Sequence, residues 1–169
     1  MAETKQIIQE YKPEIVPIFD NRVLNEDIVK QIYRREQHKD NLTKVARYTL
    51  SSAQILALNS TPVTIVPAFL NSLIIVEGID AKLIFNTTAY TGANNLEFRY
   101  TNAGGAKVTA DMASTFINSS ATAYDHVAGV VTELTPVINT PIVVRVPTAN
   151  PGTGDSTISL FIRFRLVNY

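Results

Sequence analysis

The chain of 169 residues contains no cysteine and no tryptophan, and it has only two histidines. Without cysteine there are no disulfides, thiol nucleophiles or thiolate metal sites. Apolar runs are short, whereas a segment that crosses a bilayer needs about 20 apolar residues. The first residues, MAETKQIIQEYK, lack the apolar stretch of a secretory signal. These absences predict a soluble protein.

Charged side chains are scarce over most of the chain. Residues 1–47 hold 17 of the 30 charged side chains, and the remaining 122 residues hold 13. Because 15 basic residues balance 15 acidic ones, the composition gives no indication of binding to nucleic acid or to an anionic membrane. The uneven distribution predicts an N-terminal arm over residues 1–43 and a compact domain over residues 44–169.

The arm is predicted to consist of two parts. Residues 1–19 contain Pro13 and Pro17, which oppose a continuous helix and favour an extended path. Residues 20–40 carry apolar side chains at helical spacing with charged side chains around them, which predicts a short amphipathic helix. The apolar side chains of both parts are the predicted partner-binding residues. They are Ile7, Tyr11, Ile15, Val16, Ile18, Phe19, Leu24, Ile28 and Ile32.

From Lys44 onward, apolar and polar residues alternate, as is typical of half-buried antiparallel strands. A long strand is expected over Leu73–Phe85, with a β-bulge at Gly78. Ser51–Ala57 predicts a turn or two of helix, capped by Ser51 or Ser52. Eight or so short strands separated by turns rich in Gly, Pro and Asn predict an all-β antiparallel sandwich of the jelly-roll type. Residues 111–126 predict a long connection with a turn of helix.

Residue patterns for catalysis are weak. Asp125 and His126 lie near Ser119 and Ser120, which are the residue types of a hydrolase. However, adjacent residues of a strand point to opposite faces, and no nucleophile-elbow sequence accompanies them. We therefore expect a protein that is not an enzyme and has no cofactor.

Two further patterns concern the binding of a metal ion and of a sugar. Five acidic residues resemble calcium ligands, but no D-x-D-x-D-G loop joins them. The turn at 152–155 is the best candidate for a calcium site, but the same residues also fit a tight hairpin turn. Both alternatives, calcium near Asp155 and a turn without metal, therefore stay open. Three tyrosines could line a sugar groove, although packing in a core or interface is the simpler expectation. The acids are Glu77, Asp80, Asp111, Asp125 and Asp155, and the tyrosines are Tyr90, Tyr100 and Tyr124.

Three segments of the compact domain resemble a recurrent family of tailed-bacteriophage virion proteins. They read TLSSAQILALNSTPVTIVPA from Thr49, TAYTGANNLEFRYTNAGG from Thr88 and TANPGTGDSTISLFIRFRLV from Thr148. The resemblance covers roughly residues 45–169 and leaves the arm out. It implies a β-sandwich structural component of a phage particle, and it brings no catalytic residues with it.

The resemblance and the arm together predict a capsid decoration, auxiliary head or head-fibre-base protein that is assembled in the bacterial cytoplasm and resides in the virion. The arm is expected to lie on the major capsid protein or another virion subunit, and self-association, as a trimer, is expected from the symmetry of shells. Nucleic acid and membrane are not expected partners. The alternative is a tail or fibre-associated module that binds glycans.

Overall fold

The computed structural model describes residues 42–102, 104–130 and 137–168. The whole predicted arm up to residue 41 lies outside these ranges, and so do its nine predicted partner-binding residues and its predicted helix. Those assignments therefore stay predictions.

The described residues form seven β-strands and two short helices. The strands are β1 (Lys44–Leu50), β2 (Val63–Val66), β3 (Ser72–Ile84), β4 (Glu97–Tyr100), β5 (Ala123–Ala128), β6 (Ile142–Arg145) and β7 (Thr157–Asn168). The helices are α1 (Ser52–Ile55) and α2 (Ser114–Ile117). Among the described residues, no helix has the length and apolar character needed to span a membrane.

The strands form two antiparallel sheets. Sheet A has the order β1-β7-β3-β5 and sheet B has the order β2-β6-β4. Residues 106–112 run along the free edge of β4, where Val108 N–H donates to the Phe98 carbonyl and Leu96 and Met112 exchange two hydrogen bonds. Counting this segment, each sheet has four strands and the chain passes repeatedly between them. The predicted jelly-roll sandwich is confirmed.

The core lies between the two sheets and follows the alternation of the strands. In β7, Ile158, Leu160, Ile162 and Phe164 are at most 4% exposed, while the intervening side chains are partly exposed. Burying a side chain of this size stabilises the fold by about 1.5–3 kcal/mol relative to leaving it exposed. The period-two pattern of the sequence is therefore the pattern of burial.

Two local predictions are confirmed. Helix α1 begins after Ser51, whose hydroxyl accepts the Gln54 N–H while Gln54 Oε1 accepts the Ser51 N–H, so the two residues form a capping box. Strand β3 shifts register between Val76 and Gly78, as expected for a bulge there. A Cβ at Gly78 would lie 3.0 Å from Arg163 Nη2. Glycine at the bulge thus leaves room for a side chain from the neighbouring strand.

The prediction for residues 111–126 is wrong in one respect. The turn of helix is present as α2, but the end of the segment enters β5 rather than continuing as a connection. Strand β5 forms an edge of sheet A, and its inward positions include Ala123 and the half-buried Asp125. Because these positions bury little apolar surface, the strand lacks the alternation by which the others were recognised.

Candidate interaction surface

The side of sheet A that faces away from the core carries polar and aromatic side chains from all four strands. The strand register places them in rows: Arg47, Phe161, Asp80 and His126 in one row, and Thr49, Ser159, Lys82 and Tyr124 in the next. We call this surface the outer face of sheet A. It holds several of the residues that the sequence marked as candidate ligands.

Asp80 lies at the centre of a polar cluster on the outer face of sheet A. Its Oδ1 is 2.8 Å from His126 Nδ1, and its Oδ2 is 3.2 Å from Arg163 Nη1. All three side chains are 43–50% exposed. A salt bridge this accessible contributes little to stability, about 0–1 kcal/mol. Its effect is to orient the imidazole and the guanidinium on the surface.

Two aromatic rings on this face lie next to cations. The Arg47 guanidinium is 5.5 Å from the centre of the Phe161 ring, and Lys82 Nζ is 5.4 Å from the centre of the Tyr124 ring. Phe161 is an apolar residue at an outward position of β7, and its contact with Arg47 explains how this ring is accommodated there. Tyr124 is still 72% exposed. It borders a cleft of about 460 Å³ that also contacts Asp80 and His126.

The structure does not support the hydrolase arrangement among these residues. His126 pairs with Asp80, whereas the Asp125 carboxylate accepts the backbone N–H of His126 at 2.8 Å. The Ser119 hydroxyl donates to the carbonyl of Ala121. The histidine and the serine thus have separate partners. Sequence reasoning missed the pairing of His126 with Asp80, because 46 positions separate them.

The outer side of sheet B holds a second charged cluster, which is covered rather than exposed. Glu97 is only 6% exposed, and it contacts Arg99 at 2.8 Å, Lys107 at 3.0 Å and Arg145 at 3.7 Å. Burial raises the pKa of Glu97, but hydrogen bonds from Arg99 and Lys107 outweigh burial and hold the pKa below its usual value. A cleft of about 800 Å³ lies beside Arg99 and Lys107. Since Lys107 also binds Asp111 at 2.7 Å, the cations of this cleft are neutralised within the fold.

The predicted calcium turn is a hydrogen-bonded clasp. Asp155 accepts hydrogen bonds from the Thr87 hydroxyl and from the backbone N–H groups of Thr87 and Thr88, and Asn86 donates to it as well. These bonds, the Thr87 hydroxyl first, lower the pKa of Asp155 to about 2. No group of three potential metal-ligating side chains occurs in the ranges that the structure describes. The carboxylate therefore joins the turn before β7 to the segment after β3.

The Asp155 clasp predicts a specific dependence of stability on pH. The pKa of Asp155 is lower in the folded protein than its usual value of 3.8, so its stabilising effect is complete above pH 4 and is lost as pH falls towards 2. We expect Asp155→Asn to melt at a lower temperature at pH 7 and to lose less stability between pH 4 and pH 2. Thr87→Ala, which keeps the carboxylate but removes one donor, should lie between. Thermal unfolding curves across this pH range that coincide for all three proteins would contradict this assignment.

The tyrosines do not form the shared sugar groove that the sequence allowed. Tyr90 and Tyr100 are 2% and 1% exposed, and only Tyr124 lies on the surface. Tyr90 donates to the Ser156 carbonyl at 2.5 Å, and Tyr100 donates to the Ile74 carbonyl. Burial, with the Asp155 charge as a second cause at Tyr90, raises the pKa of both phenols to about 12. Both hydroxyls therefore remain donors and act inside the fold.

Comparisons with known proteins give one structural match and no sequence match. No family model matches the chain, and no curated protein matches it. Among solved structures, the cyanophage Pam1 capsid asymmetric unit is similar, with a TM-score of 0.47 and 17% identity over 74% of this chain and 85% of that chain. A superposition this loose assigns no family.

Proposed function

We propose that the protein is a non-enzymatic structural component of a bacteriophage virion, in the role of a capsid decoration, auxiliary head or head-fibre-base protein. The proposal starts from the three segments that resemble phage virion proteins. It extends to the N-terminal arm as the means of attachment to other virion subunits.

The observation that carries the proposal is the use made of the polar residues in those three segments. In the first, Gln54 completes a helix cap and Asn59 donates to the carbonyls of Val146 and Pro147. In the second, Tyr90 donates to the Ser156 carbonyl. In the third, Asp155 forms its clasp. These side chains hold loops and strands together, and a segment used in this way belongs to a scaffold.

Because these polar side chains act within the fold, contacts with partner proteins are assigned to the arm and to the outer surfaces of the domain. Ordering an extended segment costs about 1–2 kcal/mol per residue in backbone entropy. Burial of the apolar side chains in residues 1–19 offsets this cost only in part, so a single arm binds weakly. Several arms on one oligomer, or a repeated lattice of partners, raise the effective affinity without new contacts. Attachment to a virion meets both conditions.

Deletion of residues 1–19 tests the proposed attachment. We expect a folded body with the far-ultraviolet circular dichroism of a β-protein that is absent from purified particles. A matched pair of full-length variants separates apolar contact from charge: Ile7→Ser with Tyr11→Ser should reduce incorporation, and Lys5→Ser with Glu10→Ser should not. The measurement is the amount of each protein in gradient-purified particles. Incorporation of the deletion variant at the normal level would exclude the arm as the attachment.

One observation favours the second candidate, a glycan-binding module of a tail or fibre. Tyr124 is 72% exposed beside a cleft that offers the carboxylate of Asp80 and the imidazole of His126. An aromatic face beside hydrogen-bonding groups is an arrangement that can bind a sugar ring. Binding of the full chain to a glycan array, lost on Tyr124→Ala, would establish this candidate.

A further inference from the structure

A cleft on the outer face of sheet A combines one aromatic ring with hydrogen-bond acceptors. Its volume of about 460 Å³ lies within the range of small-molecule sites. In the register of β3 with β5, Tyr124 lies opposite Lys82 and His126 lies opposite Asp80. The ring and the carboxylate are therefore two residues, or about 7 Å, apart along the strands. One sugar ring with its hydroxyl groups spans this distance.

Two acceptors of the cleft are held in place by salt bridges. Asp80 Oδ1 is 2.8 Å from His126 Nδ1, and Asp80 Oδ2 is 3.2 Å from Arg163 Nη1. Because a carboxylate only accepts hydrogen bonds, Nδ1 carries the proton, and Nε2 of the neutral imidazole is then an acceptor. Each carboxylate oxygen of Asp80 has a second acceptor position. The polar part of the cleft therefore selects a ligand that donates hydrogen bonds.

The Tyr124 ring supplies the aromatic part of the cleft. It is 72% exposed, and Lys82 Nζ lies 5.4 Å from its centre, so one cation is already placed at the ring. The face of an aromatic ring is negative and attracts the polarised C–H groups of a sugar. A pyranose has C–H groups on its faces and hydroxyl groups at its rim. It therefore matches the ring and the two acceptors at the same time.

The charges around the cleft balance one another and disfavour a charged ligand. Asp80 and Asp125 line the cleft. The cation Lys82 lies at the ring, and the cation Arg163 lies at the carboxylate of Asp80. The carboxylate of an acidic sugar only accepts hydrogen bonds, so it would meet the acceptors of the cleft without a donor between them. The ammonium of an amino sugar would be repelled by the two cations already in place.

We propose that this cleft binds a neutral pyranose, which lies on the Tyr124 ring and donates hydroxyl hydrogen bonds to Asp80 and to Nε2 of His126. The inference rests on the glycan-binding candidate above and adds the class of sugar. The sugar is uncharged, and it is neither a uronic acid nor an amino sugar. Arg163 acts as a positioning residue for Asp80, and Lys82 excludes a second cation from the ring.

The test compares sugars that differ only in charge. The probes are the methyl β-glycosides of glucose, glucuronic acid and glucosamine, together with the three corresponding galacto compounds. Titration of the full chain at pH 7.5, followed by NMR of its backbone amides, gives each affinity. We expect the neutral glycoside of at least one series to bind about fivefold more tightly than its acidic and amino counterparts, the effect of one like-charge contact at a surface. Equal affinities, or no binding of either neutral glycoside, would overturn the proposal.

A matched pair of variants tests the ring. Tyr124→Ala should weaken binding of the neutral glycoside by about tenfold, whereas Tyr124→Phe keeps the aromatic face and should retain it. Because the side chain is exposed, we expect both variants to keep the melting temperature of the wild type. An affinity that is unchanged in Tyr124→Ala would exclude this cleft as the sugar site.

Lys82→Gln tests the charge balance, because it removes the cation beside the ring and keeps most of the side-chain length. We expect the amino sugar to bind this variant about fivefold more tightly than it binds the wild type, while the neutral glycoside keeps its affinity within about twofold. An amino sugar that gains nothing would overturn the assigned role of Lys82.

The outcomes separate this inference from the functions on which it could depend. Binding of acidic or amino glycans alone, lost in Tyr124→Ala, would keep the glycan-binding candidate and overturn the neutral class. Incorporation into particles is measured separately and decides the virion role, since the titrations use the isolated chain. We expect Tyr124→Ala to enter particles at the normal level although it no longer binds the sugar.

Discussion

Gly154→Ala is expected to destabilise the protein by about 3–5 kcal/mol, a loss large enough to unfold many domains at physiological temperature. Two causes combine. The φ angle of Gly154 is +149°. Residues other than glycine rarely adopt this backbone conformation, and it costs them about 1–3 kcal/mol. In addition, a Cβ there would lie 2.2 Å from the Tyr90 ring, which is buried and bonded through its hydroxyl to Ser156.

Two further variants separate the backbone cost from the clash with Tyr90. Gly92 also has a positive φ, +65°, but a Cβ there meets nothing within 4 Å, so Gly92→Ala reports a backbone cost alone of about 1–2 kcal/mol. Replacing Tyr90 by Leu removes part of the ring that Gly154→Ala would strike. Denaturant unfolding of Gly154→Ala, Tyr90→Leu and the double variant should therefore give less than additive losses. If Gly154→Ala costs no more than Gly92→Ala, contact with Tyr90 is not the reason for glycine at position 154.

Glu97→Ala is expected to cost about 3–5 kcal/mol, the range observed when one partner of a buried ion pair is removed. The loss would leave Arg99 and Arg145, which are 20% and 13% exposed, next to each other and to Lys107 without the carboxylate between them. Glu97→Gln keeps the shape and part of the hydrogen bonding and should cost less. Chemical denaturation at pH 7 measures both.

The pH dependence provides the control for the Glu97 cluster. Because the pKa of Glu97 is below its usual value of 4.5, its contribution is complete above that pH and declines as pH falls through the lower folded value. The stability difference between wild type and Glu97→Gln should therefore shrink on acidification. A difference that is constant from pH 7 to pH 3 would show that the charge of Glu97 is not what stabilises the cluster.

The sequence predicted those parts of the fold that depend on near neighbours. The cap at Ser51, the bulge at Gly78 and the alternation of β7 each depend on residues within a few positions, and each was confirmed. Strand β5 was missed because an edge strand needs few apolar residues. The covering of Glu97 was also missed, since it depends on residues 104–111 folding over β4, and no local pattern encodes that contact.

The candidate surface shows the same limit. His126 was singled out for its chemistry, but its partner Asp80 lies on another strand, and only the register of β3 with β5 brings them together. The clasp of Asp155 with Thr87 and Thr88 likewise joins the predicted turn at 152–155 to residues that lie 68 and 67 positions earlier. The sequence singled out Asp80, His126 and Asp155, whereas their partners follow from the order of the strands in the sheets.

The order of strands in sheet A also affects folding during synthesis on the ribosome. Strand β7 lies between β1 and β3, so both depend on a strand that is synthesised well after them. Until residues 157–168 have emerged, β1 lacks its neighbour, and β3 has an unsatisfied edge. Such long-range pairing forms slowly, and the unpaired strand edges make intermediates aggregation-prone during synthesis. Sheet A can therefore be completed only after residues 157–168 have been synthesised.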